Sequence, residues 1–369
     1  MIDFGFHMPV EIIFGRGCVL ANAQKFRGYK KIFVVTSRSS AKLSGALDDI
    51  MGVAKDIGSD CHVFDRVMEN PTLSVCYEGG RAALEFGADL VVGIGGGSPM
   101  DAAKAVACFA GNAEMAPEAL FDPPQKPSLP IFAIPTTAGT GSEANPYAVI
   151  TLDGQDLKKT FNHKNSYAKT AFLDPAYTLS LPHEATVGTA LDALCHCVES
   201  CLSVKATPFS DMYAHLGIQT VYPVLEKLEG MADARSGVDY GMREALMFGS
   251  LCGGVAINTT GTCFPHPMGY NITFARGLPH GKACAVFFGE FVDMHEGYVT
   301  RQMREAFGVP LEKAKETVKA LAGYSEKFDD ETLRFFVSKV KSAKNFANGK
   351  KKISEGEIFD IYKRCLGKE

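Results

Sequence analysis

Asp192 and His196 stand four residues apart in the run Thr189-Ala190-Leu191-Asp192-Ala193-Leu194-Cys195-His196. On a helix that spacing puts a carboxylate and an imidazole on one face. A pair of this kind is most often a surface hydrogen bond, but this stretch is apolar around it, and buried charges need partners. Two further imidazoles follow, His266 in Phe264-Pro265-His266-Pro267-Met268-Gly269 and His280 in Gly277-Leu278-Pro279-His280-Gly281-Lys282. Three imidazoles with one carboxylate suit Fe(II) or Zn(II) about equally, so residue types alone do not name the metal. Such an ion acts as a Lewis acid on an alcohol or carbonyl oxygen. His7, His62, His163, His183, His215 and His295 lie outside this pattern and read as structural or surface residues. Cys195 and Cys197 flank His196, but positions two apart on a helix point in different directions, so they read as buried thiols rather than a zinc knot.

A second chemistry is carried by glycine and hydroxyl residues. Gly93-Ile94-Gly95-Gly96-Gly97-Ser98-Pro99-Met100-Asp101 joins an apolar strand to a helix that opens with Ala102-Ala103-Lys104. Glycines there let backbone approach a diphosphate, and the helix start attracts its charge. The spacing lacks the third glycine of G-x-G-x-x-G, so a merely tight strand-to-helix connection stays open. Pro135-Thr136-Thr137-Ala138-Gly139-Thr140-Gly141-Ser142-Glu143 is a second such turn. It reads as donors for the same ligand or as a loop capping a helix, and both hold together. Lys158 follows, either a cofactor contact or a solvated lysine.

The turn Thr36-Ser37-Arg38-Ser39-Ser40 stands where nucleotide folds choose between dinucleotides. An acid at this point pairs with the ribose 2′-hydroxyl and repels a 2′-phosphate. Ser37, Arg38 and Ser39 instead offer hydroxyls and a guanidinium fork, which favours NADP(H) over NAD(H).

The elements that must position these groups change character along the chain. Residues 31–36, 89–94, 129–134 and 171–173 are short β-branched runs alternating with helical patterns, the signature of a parallel sheet with crossover helices. Ligands of such sheets sit beyond the strands' carboxyl ends. After Pro182, stretches 184–203, 207–228 and 241–258 carry apolar residues at three- and four-residue spacing with no convincing strand. The expectation is an α/β dinucleotide-binding domain over 1–181 and an all-helical metal-binding domain over 182–369.

Composition narrows the partners. A net charge of −4 over 369 residues gives neither a nucleic-acid footprint nor a membrane-seeking face, which leaves a small molecule. The N-terminal residues show no basic region followed by an apolar run, and no long uninterrupted apolar stretch occurs, so a cytoplasmic location is expected. The 11 cysteines are scattered from Cys18 to Cys365 and read as reduced thiols. Lys350-Lys351-Lys352 reads as a solvated loop.

Taken in order and spacing, the two turns, Phe172-Leu173-Asp174-Pro175, the run Asp192 to Glu199 and the segment His266 to His280 resemble the iron-containing, or group III, alcohol dehydrogenases. These are more distantly related to glycerol dehydrogenase and dehydroquinate synthase. The resemblance covers nearly the whole chain. It implies a Rossmann-like α/β domain with a parallel sheet followed by an all-α domain, the dehydroquinate synthase-like fold, with the active site between them. It implies iron on Asp192, His196, His266 and His280, and cofactor contacts at Gly97, Ser98, Thr136, Thr137 and Lys158; the turns add Gly96, Asp101 and Thr140 as candidates. It further implies hydride transfer between NAD(P)(H) and a small primary alcohol, diol or aldehyde, in a homo-oligomer. A dehydroquinate-synthase-like lyase and an oxyacid–oxoacid transhydrogenase are the competing activities. Phe161, Asn258 and Phe274 are candidates for the substrate pocket. Two departures stand out: Tyr270 where some members carry another histidine, and Ser37 where many NAD-using members carry an acid.

Overall fold

The computed structural model describes residues 3–124, 126–155, 157–231 and 237–368. Its contacts divide the chain into two compact units, Met8–Leu181 with Asp239–Met247, and Met1–His7 with Pro182–Val238 and Phe248–Glu369.

The first unit is built on strands β1 (Glu11–Phe14), β2 (Lys31–Thr36), β3 (Asp60–Phe64), β4 (Leu90–Gly95), β5 (Ile131–Pro135) and β8 (Thr170–Leu173). They form one six-stranded sheet in the order β1-β8-β5-β4-β2-β3, and every pairing is parallel. A parallel sheet is covered on both faces, so its central strands are apolar throughout rather than alternating; Ile32, Val34, Val92, Ile94, Phe132 and Phe172 are fully buried in its core. The sheet runs from β2 out to β3, then returns to place β4 on β2's other side. Strand order reverses there, and the crevice beyond the strand ends at that point is where such folds bind ligands. The helix Gly97–Gly111 packs hard against β4: a Cβ added at Gly93 would lie 2.8 Å from Ala103 Cβ.

The strands expected at 31–36, 89–94, 129–134 and 171–173 all form, shifted by a residue or two at most. Both edge strands, β1 and β3, lie outside the expected runs. β3 is short and polar on its exposed positions, and β1 is four residues long, so neither carries the β-branched run that marks a central strand. An antiparallel hairpin of β6 (Tyr147–Thr151) and β7 (Lys158–Asn162) also lies outside those expectations.

The second unit is helical among its described residues apart from isolated bridges. Its central helix, His183–Cys201, is buried at nearly every position from Thr186 to Cys201, so it is a core helix rather than an amphipathic surface one. Pro182 sits just before it as the capping residue. Pro208–Glu229 opens with a capping box in which Thr207 and Ser210 each serve the other's backbone N–H. Shorter helices Pro265–Arg276 and His280–Ala285 follow, with others to Glu355–Leu366. No helix among the described residues is long and apolar enough to cross a membrane.

Candidate active site

Three helices of the second unit bring Asp192, His196, His266 and His280 together. Asp192, His196 and Glu199 share one face of His183–Cys201, while His266 stands in the first turn of Pro265–Arg276 and His280 opens His280–Ala285. The last helix approaches His183–Cys201 backbone to backbone. A Cβ at Gly281 would lie 2.0 Å from the Gly188 carbonyl oxygen and 2.7 Å from Asp192 Cβ, so only glycine fits next to His280.

Nε2 of His196, His266 and His280 lies 3.8, 3.6 and 3.8 Å from Asp192 Oδ1, and Nε2 of His196 and His266 are 2.9 Å apart. Asp192 is 3% exposed, yet its Oδ1 accepts no hydrogen bond. An orphaned buried carboxylate oxygen costs several kcal/mol unless a cation or donor meets it. Three imidazole nitrogens around that oxygen form the donor set of a borderline divalent ion, so these residues fit a metal. His266 Nδ1–H donates to Glu199 Oε1 at 2.7 Å, and Glu199 Oε2 accepts from the Cys263 N–H at 2.5 Å. This carboxylate–histidine pair turns the Nε2 edge of His266, 2.9 Å from His196 Nε2, toward the cluster.

The electrostatics agree. Burial works to lower the His266 pKa, but the carboxylates of Glu199 and Asp192 override it and push the ring up to about 10. Burial works to raise Asp192, but His196, His280 and His266 hold it well below the usual carboxylate range. The buried carboxylates therefore favour positive charge at this point, which a divalent ion would supply.

In the first unit, three turns meet at the carboxyl ends of β2, β4 and β5. Gly95 has φ +148°, a conformation that L side chains rarely adopt, and its carbonyl accepts from the Thr136 N–H at 2.8 Å. A Cβ at Gly96 would meet Thr137 at 3.2 Å, and one at Gly97 would meet Thr140 Cγ2 at 2.7 Å. The helix Gly97–Gly111 opens with no side-chain cap and no acid in its first turn, leaving its first amides to an anion. Ser98 Oγ accepts from the Asn70 N–H at 3.1 Å. Ser37 Oγ is 2.6 Å from Ser40 Oγ, and Arg38 and Ser39 are exposed.

Asp101 and Lys158 occupy different places. Both Asp101 oxygens are engaged within the unit, one by the Ser142 hydroxyl at 2.7 Å and one by the Val149 N–H at 2.9 Å, so Asp101 holds the second turn and the hairpin in place. Lys104 completes that anchor. Its buried ammonium donates to Ser142 O, Ser142 Oγ and Tyr147 O at 2.6–2.8 Å, and burial pulls its pKa down to about 8 against the opposing carboxylates of Asp101 and Glu143. Lys158 lies half-buried on β7, paired in register with Thr151. Of the pocket candidates, Phe161 is buried in β7, the Asn258 amide donates to the His7 carbonyl at 2.8 Å, and Phe274 is half-buried on Pro265–Arg276. Tyr270 stacks on the His280 ring at 5.3 Å.

A model of the iron-containing alcohol dehydrogenases matches residues 9–175, and a model of the C-terminal part of the Fe-containing alcohol dehydrogenase family matches 186–363. The chain belongs to the iron-containing alcohol dehydrogenase family. It is thereby an oxidoreductase of the alcohol dehydrogenase and aldehyde reductase type. Alcohol dehydrogenase 4 of Schizosaccharomyces pombe is 32% identical over 284 residues, 76% of this chain and 66% of that protein. Lactaldehyde reductase of Escherichia coli K12 is 29% identical, covering 81% of this chain and 78% of that one. A solved iron-containing alcohol dehydrogenase from Thermotoga maritima is 33% identical with a TM-score of 0.89, covering 99% of each chain.

Residue types alone missed Glu199 and Cys284. Glu199 lies three residues beyond His196 on the same helix face, and Cys284 four beyond His280, so the spacing that singled out Asp192 and His196 reaches both.

Proposed function

We propose that this chain is an iron-dependent dehydrogenase that moves a hydride between a small primary alcohol, diol or aldehyde and NADP(H), in preference to NAD(H). Asp192, His196, His266 and His280 hold the ion; zinc suits the same donors. The observation that carries the reading is the unsatisfied, buried Asp192 Oδ1 ringed by three imidazole nitrogens. When bound, the ion supplies Lewis acidity toward an alcohol or carbonyl oxygen, and the nicotinamide supplies or accepts the hydride.

The chain's own residues do the rest. Glu199 orients His266 through Nδ1, so that Nε2 presents its lone pair. Gly96, Gly97 and the first amides of Gly97–Gly111 cradle the diphosphate, with Ser98, Thr136, Thr137 and Thr140 as hydroxyl donors and Lys158 as a nearby cation. Asp101 is a positioning residue for those turns. The exposed Arg38 guanidinium and the Ser37 and Ser39 hydroxyls suit a 2′-phosphate, and no carboxylate stands at that turn to repel it. On this reading the expected division at 181/182 holds except that Met1–His7 joins the metal domain and Asp239–Met247 the cofactor domain, and the enzyme works as a cytoplasmic homo-oligomer.

The test is an anaerobic assay on metal-analysed protein, following NADPH and NADH oxidation with butyraldehyde and other short aldehydes. Faster turnover with NADPH is expected. Turnover with NADH alone overturns the cofactor choice, and none with either overturns the activity.

A further inference from the structure

One sulfur stands in the donor cluster beside the nitrogen and oxygen atoms. Cys284 Sγ lies 3.7 Å from both ring nitrogens of His280. Its sulfur, Asp192, His266 and His280 each present a donor atom, all within 4.8 Å of one another. Cys284 is fully buried and follows His280 by four residues on one short helix, so both side chains face the same way. The close approach of Gly281 to Gly188 fixes that helix against the one bearing Asp192. Asp192 Oδ1, buried and without a hydrogen-bond partner, is the independent sign that a cation belongs at this point.

We infer that Cys284 is a sulfur donor to this metal site, beside Asp192, His266 and His280, and that it biases the site toward thiophilic ions. The inference rests on the proposed metal site. Imidazole and carboxylate donors separate Fe(II) from Zn(II) poorly, whereas a thiolate favours softer ions. On loading, a metal–sulfur bond forms, the thiol proton passes to solvent, and no electron moves. With metal–donor bonds of about 2.0–2.3 Å, donor atoms on one ion stand roughly 3–4 Å apart, so four ligand atoms all within 4.8 Å of one another can surround a single ion.

The experiment strips the full-length protein with a chelator, reloads it with Co(II), and records absorption of the parent chain, Cys284→Ser and Cys284→Ala, with circular dichroism to confirm folding. Expected in the parent are visible d–d bands together with a near-ultraviolet sulfur-to-cobalt charge-transfer band. Both variants should keep the d–d bands and lose the charge-transfer band, and their preference for Zn(II) over Fe(II) in competition should fall about tenfold. Parent protein with d–d bands but no charge-transfer band overturns the inference, as does a charge-transfer band that survives in the variants. Absence of all visible bands overturns the metal site itself.

Discussion

The two candidate sites of this chain are made from different materials. The donor cluster in the helical unit consists of side chains whose identity is everything: one carboxylate, three imidazoles and a supporting Glu199, buried except for the half-buried His280 and held by three helices. The turns in the sheet unit consist of backbone shape: Gly95 at positive φ, Gly96 and Gly97 with threonine side chains where a Cβ would go, and a helix start with uncapped amides. A site of the first kind fails when a side chain is removed. A site of the second kind fails when one is added.

The largest effect should come from removing a donor. Asp192→Ala or His266→Ala should cut kcat at least about a hundredfold, since a bound ion contributes several kcal/mol. Turnover and metal content per chain, with circular dichroism as the control on folding, measure it. Activity within tenfold of the parent would show that the cluster is not the reactive centre. Glu199→Gln tests the next layer. It keeps the shape but weakens the hold on His266 Nδ1, and metal affinity by chelator competition should fall about 10–100-fold. Unchanged affinity would reduce Glu199 to packing.

For the turns, Gly97→Ala pushes a methyl against Thr140 and should raise the cofactor KM about tenfold, at about 1–3 kcal/mol of strain, with metal content unchanged. If Gly97→Ala and Thr140→Ala weakened cofactor binding equally, the turn would owe as much to side chains as to backbone. The smallest effect belongs to the buried charges beneath it. Burial pushes the Glu143 pKa up to about 7 from 4.5, against its own backbone N–H and Lys104. Between those values the folded state binds more protons than the unfolded one, so stability declines as pH rises through that window. Glu143→Gln should abolish that decline, gaining roughly 2–4 °C in relative Tm across the window by thermal melts at its two ends.

The same distinction explains which features are legible in the sequence. The quartet Asp192, His196, His266 and His280 stood out because metal chemistry needs rare residue types, and helical spacing put two of them on one face. Cys284 obeys the same spacing but hides among ten other cysteines that are also buried or half-buried. The central strands declared themselves through continuous apolar runs; β1 and β3, at the edges, lack them. The anchor of Lys104, Ser142, Asp101 and Val149 joins residues 38 to 48 positions apart, a distance over which no local period carries information. Proximity to the glycines therefore suggests a ligand contact for Asp101, whereas its oxygens face the second turn and the hairpin.

The most direct test of the central claim is metal reconstitution. The protein is stripped with a chelator, Fe(II) is returned stepwise under anaerobic conditions, and NADPH-dependent butyraldehyde reduction is followed against bound iron in the parent and in His280→Ala. Activity should rise in proportion to iron up to one ion per chain and fail to rise in the variant. Full activity in the stripped protein, or equal recovery in His280→Ala, would contradict it.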